Sequence, residues 1–183
     1  MKYFIEIGSN CYSTLVDLAK NGGWSGVIIE PIPEIFLQIE RHPNCRYENI
    51  AISDVNGELD FYYFKDLTGW GSLNLNHCKK QDKNINSIKK IKVKSLTFEN
   101  LCSRYNIYRI DLLKIDAESY DAKIMKSIDF NKFEIKEIIF EKDHLSDEEL
   151  NSVIEYLKKY NYQEIKCNDT SNLRWIKNDS YYL

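Results

Sequence analysis

Residues 3–10, YFIEIGSN, are the most informative part of the sequence for the fold, because a strand-like apolar run ends there in a glycine turn. Its strand portion, Tyr3–Ile7, is mostly apolar on consecutive positions, as in strands that are covered on both faces. Similar short runs recur at Gly26–Ile29, Ile110–Ile115 and Glu137–Phe140. These runs predict a parallel sheet that is buried on both sides.

Segments with helical spacing alternate with these strands. They cover Ser13–Lys20, Glu34–Arg41, Phe98–Tyr105, Ala122–Ser127 and Asp147–Tyr160. Ser146 and Glu149 have the spacing of a capping box, which marks the start of the last of these helices. Because alternating strands and helices form right-handed β-α-β units, the order predicts a Rossmann-like α/β fold. Helices are expected on both faces of a mostly parallel central sheet.

The remaining elements are weaker. Additional strands are expected at Leu59–Phe64 and Ile91–Val93, and an antiparallel edge pair at Tyr162–Ile165 and Leu173–Ile176. Residues 68–94 include a polar stretch rich in Lys and Asn, which predicts a mobile loop over the ligand site. The 183 residues contain no repeat and no linker, and a chain of this length is expected to form a single domain over residues 1–183.

Composition excludes several classes of protein. The formal net charge of -3 supplies no general attraction for nucleic acid. Five scattered cysteines include no C-x-x-C pair, so reduced thiols are expected rather than a zinc knuckle or a disulfide framework. The amino terminus enters the first apolar run without a signal-peptide pattern, and no run is long enough to cross a membrane. We therefore expect a cytoplasmic protein without a membrane or nucleic-acid partner.

Residues that directly follow the strands are candidates for ligand binding, because open α/β sheets bind ligands beyond the carboxyl ends of their strands. Gly8 permits a close backbone approach after the first strand. Glu30, after the second strand, stands where a carboxylate accepts hydrogen bonds from a ribose diol, which predicts an adenosine-containing ligand. A pyrophosphate normally requires G-x-G-x-x-G, and here Asn10 and Ser13 replace its second and third glycines. S-adenosylmethionine, which carries no phosphate, is therefore favoured over NAD.

Further titratable residues follow the later strands. Asp116 and Glu118 come after Ile110–Ile115, while Glu141 and His144 follow Glu137–Phe140. Such a cluster supplies a general base, a metal site or only a solvated edge. Asp116 and His144 are the candidate bases, with Glu118 and Glu141 orienting the acceptor or the base. As an alternative, the carboxylates of Asp116, Glu118 and Glu141 could be ligands of Mg²⁺, although carboxylate clusters more often form hydrogen-bonded networks.

Five motifs together resemble the FkbM-type methyltransferase family. They are Phe4-Ile-Glu-Ile-Gly-Ser-Asn10, Ile28-Ile-Glu-Pro31, Ala51-Ile-Ser-Asp54, Gly71-Ser-Leu73 and Leu113-Lys-Ile-Asp-Ala-Glu118. The resemblance implies a class I methyltransferase fold, S-adenosylmethionine as methyl donor, and O-methylation of sugars or other secondary metabolites. It also implies contacts of the donor with Glu6, Gly8, Ser9 and Asn10 at the methionine part, Glu30 beside Pro31 at the ribose, Asn49, Ile50 and Ala51 at the adenine, and Asp116 near the sulfonium.

Three residues depart from the family pattern: Tyr12 and Ser119 replace glycines near the motifs, and Ser127 replaces another glycine downstream. Tyr12 is expected either to crowd the methionine pocket or to close over it. If these changes abolish donor binding, the chain is instead a noncatalytic binding module.

The acceptor is expected to be a sugar or a nucleotide-linked sugar. Seven lysines between His77 and Lys94 would attract a phosphate: Lys79, Lys80, Lys83, Lys89, Lys90, Lys92 and Lys94. The alternative to phosphate binding is that these lysines belong to an ordinary solvated loop. N-methylation of an amino sugar and an NAD-linked sugar-modifying activity remain alternatives. A second subunit could cover the site instead of the loop, which makes a homodimer an open expectation.

Overall fold

The computed structural model describes residues 1–64, 67–81 and 87–178, and in these ranges it contains thirteen strands and six helices. The strands are β1 Lys2–Ile7, β2 Trp24–Ile29, β3 Cys45–Glu48, β4 Ala51–Ser53, β5 Gly57–Phe64, β6 Leu67–Ser72, β7 Ile88–Thr97, β8 Arg109–Ile110, β9 Leu112–Ile115, β10 Glu134–Ile135, β11 Glu137–Glu141, β12 Tyr162–Ile165 and β13 Asn172–Lys177. The helices are α1 Val16–Lys20, α2 Pro33–Phe36, α3 Leu75–Gln81, α4 Phe98–Tyr105, α5 Asp121–Ser127 and α6 Asp147–Lys159.

Seven strands form the central sheet, in the order β12-β13-β11-β9-β1-β2-β3. The five strands from β11 to β3 are parallel, whereas β13 runs antiparallel to both of its neighbours. From β1 the chain builds outward first through β2 and β3, and later through β9 and β11 on the other side. This reversal at β1 is the topological switch point, where sheets of this type bind their ligands.

Both faces of the central sheet are covered. On one face Phe4, Ile28 and Leu112 pack with Val16 and Ala19 of α1. On the other face the neighbouring strand positions, such as Ile5, Val27 and Leu113, belong to a larger core that includes residues of α4, α5 and α6. Alternate strand residues point to opposite faces, so two apolar layers require nearly continuous apolar strands. The predicted α/β fold with helices on both faces is confirmed.

The predicted boundaries differ from the observed ones at the weaker elements. The helix expected over Ser13–Lys20 begins at Val16, and the one expected over Glu34–Arg41 is the single turn α2, with Pro33 at its start. The capping box at Ser146 is confirmed. The carboxy-terminal pair is antiparallel and lies at the edge of the sheet, as expected, with β12 outermost and β13 between β12 and β11, where Trp175 is 1% exposed.

Residues 68–94 were expected to form a mobile loop, and the described part of this range instead contains β6, α3 and β7. With β4 and β5, β6 and β7 form a second sheet of four strands, in the order β4-β7-β5-β6. Eight residue pairs join β5 to β7, among them Leu59 with Val93, Phe61 with Ile91 and Phe64 with Ile88. Aromatic and β-branched residues favour strands, which explains why this range forms a sheet and not a loop. Residues 82–86 lie outside the described ranges. In the described ranges, no helix has the length and apolar character that a membrane crossing requires.

Candidate active site at the carboxyl ends of the central strands

A cavity of about 280 Å³ lies at the topological switch point. The ends of β1, β2 and β9 contribute Gly8, Glu30 and Asp116 to its wall. The second sheet and its connections contribute Phe61, Trp70, Gly71 and Leu73. Phe61 lies in the strand expected at Leu59–Phe64, whereas the other three lie in the range expected to form a loop. The cavity therefore has a polar wall from the central sheet and a wall from the second sheet.

Gly8 is required by a close approach between β1 and β9. Its φ angle is +80°, and a Cβ atom at this position would lie 1.8 Å from the carbonyl oxygen of Asp116. The amide of Asp116 donates to the carbonyl of Ile7 at 2.9 Å, so the two strand ends are already held together. Any side chain at Gly8 would have to separate these strand ends at the floor of the cavity.

Glu30 is a buried carboxylate held by backbone donors. Its side chain accepts hydrogen bonds from the amide of Asn10 at 3.0 Å and from the amide of Ile32 at 2.8 Å. Burial raises the pKa of the Glu30 carboxyl to about 7, and the two amide donors oppose this rise. The contact with Asn10 ties the turn after β1 to the end of β2, so one side chain shapes two edges of the cavity.

The turn that begins at Asn49 divides into a positioning residue and two lining residues. The Asn49 side-chain amide donates to the carbonyls of Glu30 at 2.8 Å and Pro31 at 3.0 Å, and thereby fixes the turn after β2. Ile50 and Ala51 line the cavity, as Pro31 does. The adjoining wall contains the apolar residues Ile32, Ile52 and Phe61, which the sequence reasoning missed. This apolar wall suits the flat faces of an aromatic base.

Gly71 and Ser72 join the second sheet to the turn after β9, which contains Glu118. A Cβ atom on Gly71 would lie 2.7 Å from Cε1 of Phe61, so only glycine permits this packing of β6. Ser72 donates from its hydroxyl to the carbonyl of Glu118 at 2.7 Å. Glu118 and Ser119 both have left-handed backbones, with φ angles of 50° and 74°. The glycine that Ser119 replaces in the family would adopt this conformation without strain.

A cluster of carboxylates and imidazoles surrounds Glu118. Oε2 of Glu118 lies 3.1 Å from Nε2 of His77 and 3.2 Å from Nε2 of His144. The same nitrogen of His144 lies 3.7 Å from Oε1 of Glu141. Oxygens of Asp116, Glu118 and Glu141 also lie within 4.8 Å of one another. His77 was missed by the sequence reasoning, because only the folding of α3 brings it to this cluster.

The acids of this cluster hold their protons more tightly than usual. Burial raises the pKa of Glu118 to about 7 and that of Glu141 to about 8, and neighbouring carboxylates contribute to both shifts. Burial also raises the pKa of Asp116, although Lys114 opposes the change. Burial lowers the pKa of His77 and thus favours its neutral imidazole. The pKa values of Glu118 and Glu141 therefore let these two carboxyls exchange protons near neutral pH, as a general base must.

Seven of the ten residues expected at the donor line the cavity: Gly8, Asn10, Glu30, Pro31, Ile50, Ala51 and Asp116. Glu6, Ser9 and Asn49 do not line it. Glu6 is fully buried, and it accepts hydrogen bonds from the amide of Thr14 at 3.0 Å and from the Thr14 hydroxyl at 2.7 Å. It thereby fixes the turn that leads into α1. Of the expected catalytic residues, Asp116 and Glu118 line the cavity, while His144 and Glu141 lie behind Glu118.

A second cavity of about 240 Å³ lies next to this cluster. Its wall includes His77 and His144, and most of the other lining residues are polar: Asn74, Asn76, Lys80, Gln81, Ser119, Asp143, Ser146 and Glu149. Glu118 lines the first cavity and contacts two histidines of the second. The cluster around Glu118 therefore lies on the boundary between the two cavities.

The lysine-rich stretch contributes little to either cavity. Lys90 and Lys92 pair with Asp60 at 3.3 and 2.9 Å, and of the described lysines in this stretch Lys80 alone lines the second cavity. Lys83 lies outside the described residues. Tyr12 is 81% exposed and does not line the first cavity, so it neither crowds nor closes that cavity.

One comparison with known proteins, that with family models, identifies a family. Residues 6–164 match the family model described as the methyltransferase FkbM domain, and no curated protein sequence matches the chain. The chain is similar to the METTL16 MTase domain, with a TM-score of 0.47 and 12% identity over 97% of this chain and 61% of that one. It is also similar to the N-terminal domain of human METTL16 in complex with SAH, with a TM-score of 0.45 and 13% identity over 98% of this chain and 62% of that one. The chain thus spans about three fifths of the length of these two solved domains.

Proposed function

The chain belongs to the methyltransferase FkbM domain family, and we propose that it transfers a methyl group from S-adenosylmethionine to a hydroxyl of a sugar or nucleotide-linked sugar. The observation that carries the donor assignment is Glu30, a buried carboxylate at the end of β2 that lines the cavity at the switch point. A carboxylate in this place accepts hydrogen bonds from both hydroxyls of a ribose.

The rest of the cavity fits the other parts of the donor. The adenine would lie against the apolar wall of Ile50, Ile52 and Phe61. The methionine part would lie over Gly8, where the absence of a side chain leaves the backbone accessible. Asp116, whose side chain is 33% exposed, would stand at the junction with the acceptor. A volume of about 280 Å³ is close to the lower end of the range for small-molecule sites, about 300 Å³.

S-adenosylmethionine would supply a methyl group bound to its sulfonium sulfur. The acceptor oxygen would bond to the methyl carbon, in line with the carbon–sulfur bond, as that bond breaks and S-adenosylhomocysteine leaves. The chain has two tasks in this reaction. The first is to hold the acceptor oxygen at near-attack distance, which can contribute about 7–11 kcal/mol. The second is to accept the hydroxyl proton, for which Asp116 and Glu118 are placed at the cavity wall. Their raised pKa values make them stronger bases than ordinary carboxylates.

The second cavity supports an acceptor rich in hydroxyl groups. Its wall offers amide, hydroxyl, carboxylate and imidazole groups, among them Asn74, Asn76 and His144. Such groups recognise sugar hydroxyls because each hydroxyl both donates and accepts a hydrogen bond. Lys80 supplies one positive charge in this wall, alongside the carboxylates of Asp143 and Glu149.

The donor assignment is tested by calorimetric titration of the purified protein with S-adenosylhomocysteine and with NAD. Binding of S-adenosylhomocysteine, together with no binding of NAD, is the expected result. Binding of NAD alone would replace the proposal with an NAD-linked activity, and binding of neither ligand by folded protein would indicate a noncatalytic module. Sugars, amino sugars and nucleotide-sugars are then incubated with labelled donor, and mass spectrometry of the product distinguishes O-methylation from N-methylation.

A further inference from the structure

The side chains of His77, Glu118 and His144 meet in a way that hydrogen bonding does not explain. Nε2 of His77 and Oε2 of Glu118 are buried and have no hydrogen-bond partner among the described residues, although they lie only 3.1 Å apart. The side chain of His77 is 4% exposed, so solvent does not satisfy it. Buried polar atoms without partners are uncommon, and an ion that accepts their lone pairs is one of the few explanations.

The distances match those between ligands of one metal ion. Around an ion with bonds of about 2.1 Å, neighbouring ligand atoms lie about 3.0 Å apart at right angles and about 3.4 Å apart at a tetrahedral angle. The two contacts of Glu118 Oε2 with the imidazole nitrogens are 3.1 and 3.2 Å, and all three atoms lie within 4.8 Å of one another. Hence the three side chains need only small adjustments to share an ion.

We propose that His77, Glu118 and His144 bind a divalent transition-metal ion of the zinc type at the boundary between the two cavities. Two imidazoles and one carboxylate form the ligand set of several zinc enzymes, and this set leaves further positions open. Mg²⁺ prefers oxygen ligands, so the nitrogen pair distinguishes this site from a magnesium site.

Three separate elements hold the ligands in place. His77 lies on α3, and Glu118 lies in the turn after β9, which Ser72 fixes through the Glu118 carbonyl. His144 follows β11, and the side-chain amide of Gln81 lies 3.2 Å from its Nδ1. The Gln81 atom at this distance is Nε2. With Nε2 of His144 on a metal, Nδ1 would carry the proton, and the Gln81 amide would have to turn over so that its oxygen accepts from Nδ1. Such outer contacts orient metal-binding imidazoles.

The position of this site gives the ion a role that rests on the proposed function. The open positions of an ion at the boundary would take an acceptor hydroxyl from the second cavity. Coordination lowers the pKa of a bound hydroxyl and so favours its loss of a proton to a nearby carboxylate such as Asp116. The acceptor oxygen would then face the first cavity, where the donor is expected.

The site is tested by titrating the full chain, after treatment with a chelator, with Zn²⁺, Co²⁺ and Mg²⁺. The variants His77→Gln and His144→Gln each remove one imidazole. The chain has three histidines, and His42→Gln removes the third as a matched control. We expect one Zn²⁺ per chain, at least about tenfold weaker binding in each of the two site variants, and wild-type binding in the control. Circular dichroism verifies folding, and if His77→Gln does not fold, the more exposed His144 carries the test.

Several results would overturn the site. The proposal fails if the wild-type chain does not bind Zn²⁺, if His144→Gln binds Zn²⁺ with the same affinity as the wild type, or if the chain binds Mg²⁺ more tightly than Zn²⁺. A thiolate charge-transfer band in the Co²⁺ spectrum would place the ion on one of the five free cysteines instead. Titration of the same samples with S-adenosylhomocysteine separates the two proposals. If it binds and Zn²⁺ does not, only the metal site fails; if Zn²⁺ binds and it does not, the metal site stands without the methyltransferase assignment.

Discussion

Replacing Glu30 by Gln removes the charge at the proposed ribose contact and keeps the shape of the side chain. A hydrogen bond to a charged group contributes about 1.5–3 kcal/mol, so the variant is expected to bind S-adenosylhomocysteine about 10- to 150-fold more weakly at pH 8. The ribose hydroxyls donate to the ionised carboxylate, whose pKa is about 7 in the free protein. Binding by the wild-type protein should therefore weaken as pH falls through 7, by about tenfold between pH 8 and pH 6.

The assay is calorimetric titration of both proteins across this pH range. The control is Glu34→Gln, which removes an exposed carboxylate on α2 that does not line the cavity. Binding by Glu30→Gln should be nearly independent of pH, and any remaining slope would report Glu118. The assignment of Glu30 to the ribose is refuted if the variant keeps the affinity and the pH dependence of the wild type.

The same substitution makes an independent prediction about stability. Because burial raises the pKa of Glu30 from 4.5 to about 7, the folded state holds the proton more tightly than the unfolded state. The free energy of unfolding should therefore fall as pH rises through this window, by about 3 kcal/mol from this group. Glu30→Gln removes the effect. In urea denaturation, the free energy of unfolding of the variant should therefore increase relative to that of the wild type between pH 5 and pH 8. A difference that does not change with pH would contradict the burial argument.

Three further substitutions test the packing around the site. Gly8→Ala places a Cβ atom 1.8 Å from the Asp116 carbonyl oxygen and should weaken S-adenosylhomocysteine binding in calorimetry, because the strand ends must separate at the floor of the cavity; wild-type affinity would contradict the close approach. Gly71→Ala places a Cβ atom 2.7 Å from Cε1 of Phe61 and should cost about 1–3 kcal/mol in urea denaturation; wild-type stability would show that the Phe61 ring moves aside and that glycine is not required. Ser146→Ala removes the cap of α6 and should cost about 1 kcal/mol by the same method, with S-adenosylhomocysteine affinity unchanged.

Several residues in the wall of the first cavity could be predicted from the sequence. Gly8, Glu30 and Asp116 each follow directly on a short apolar run, and the carboxyl ends of parallel strands lie on one edge of a sheet. Because each of these residues directly follows a strand, recognising the strands is enough to predict that they lie close together. The family motifs added Ile50 and Ala51, which also line the cavity.

The roles of Glu6 and Asn49 could not be predicted in this way. Both stand within or beside the recognised motifs. However, the Glu6 carboxylate accepts hydrogen bonds from Thr14, and the Asn49 amide donates to the carbonyls of Glu30 and Pro31. Whether a polar side chain faces a ligand or fixes a turn depends on which backbone groups fold against it. A motif records only that the residue is needed.

The sequence by itself determined the α/β fold, the family and the strand ends that carry Gly8, Glu30 and Asp116, because these follow from apolar periodicity and from short local motifs. The sequence predicted a short strand at Ile91–Val93, but only the folded chain shows that residues 67–81 form β6 and α3 and that β6 and β7 join a second sheet. The tertiary structure also brought His77 to Glu118, 41 positions further along the chain. No local pattern specifies such a contact, because it depends on pairing between β5, β6 and β7 and on the packing of α3 beside the turn after β9.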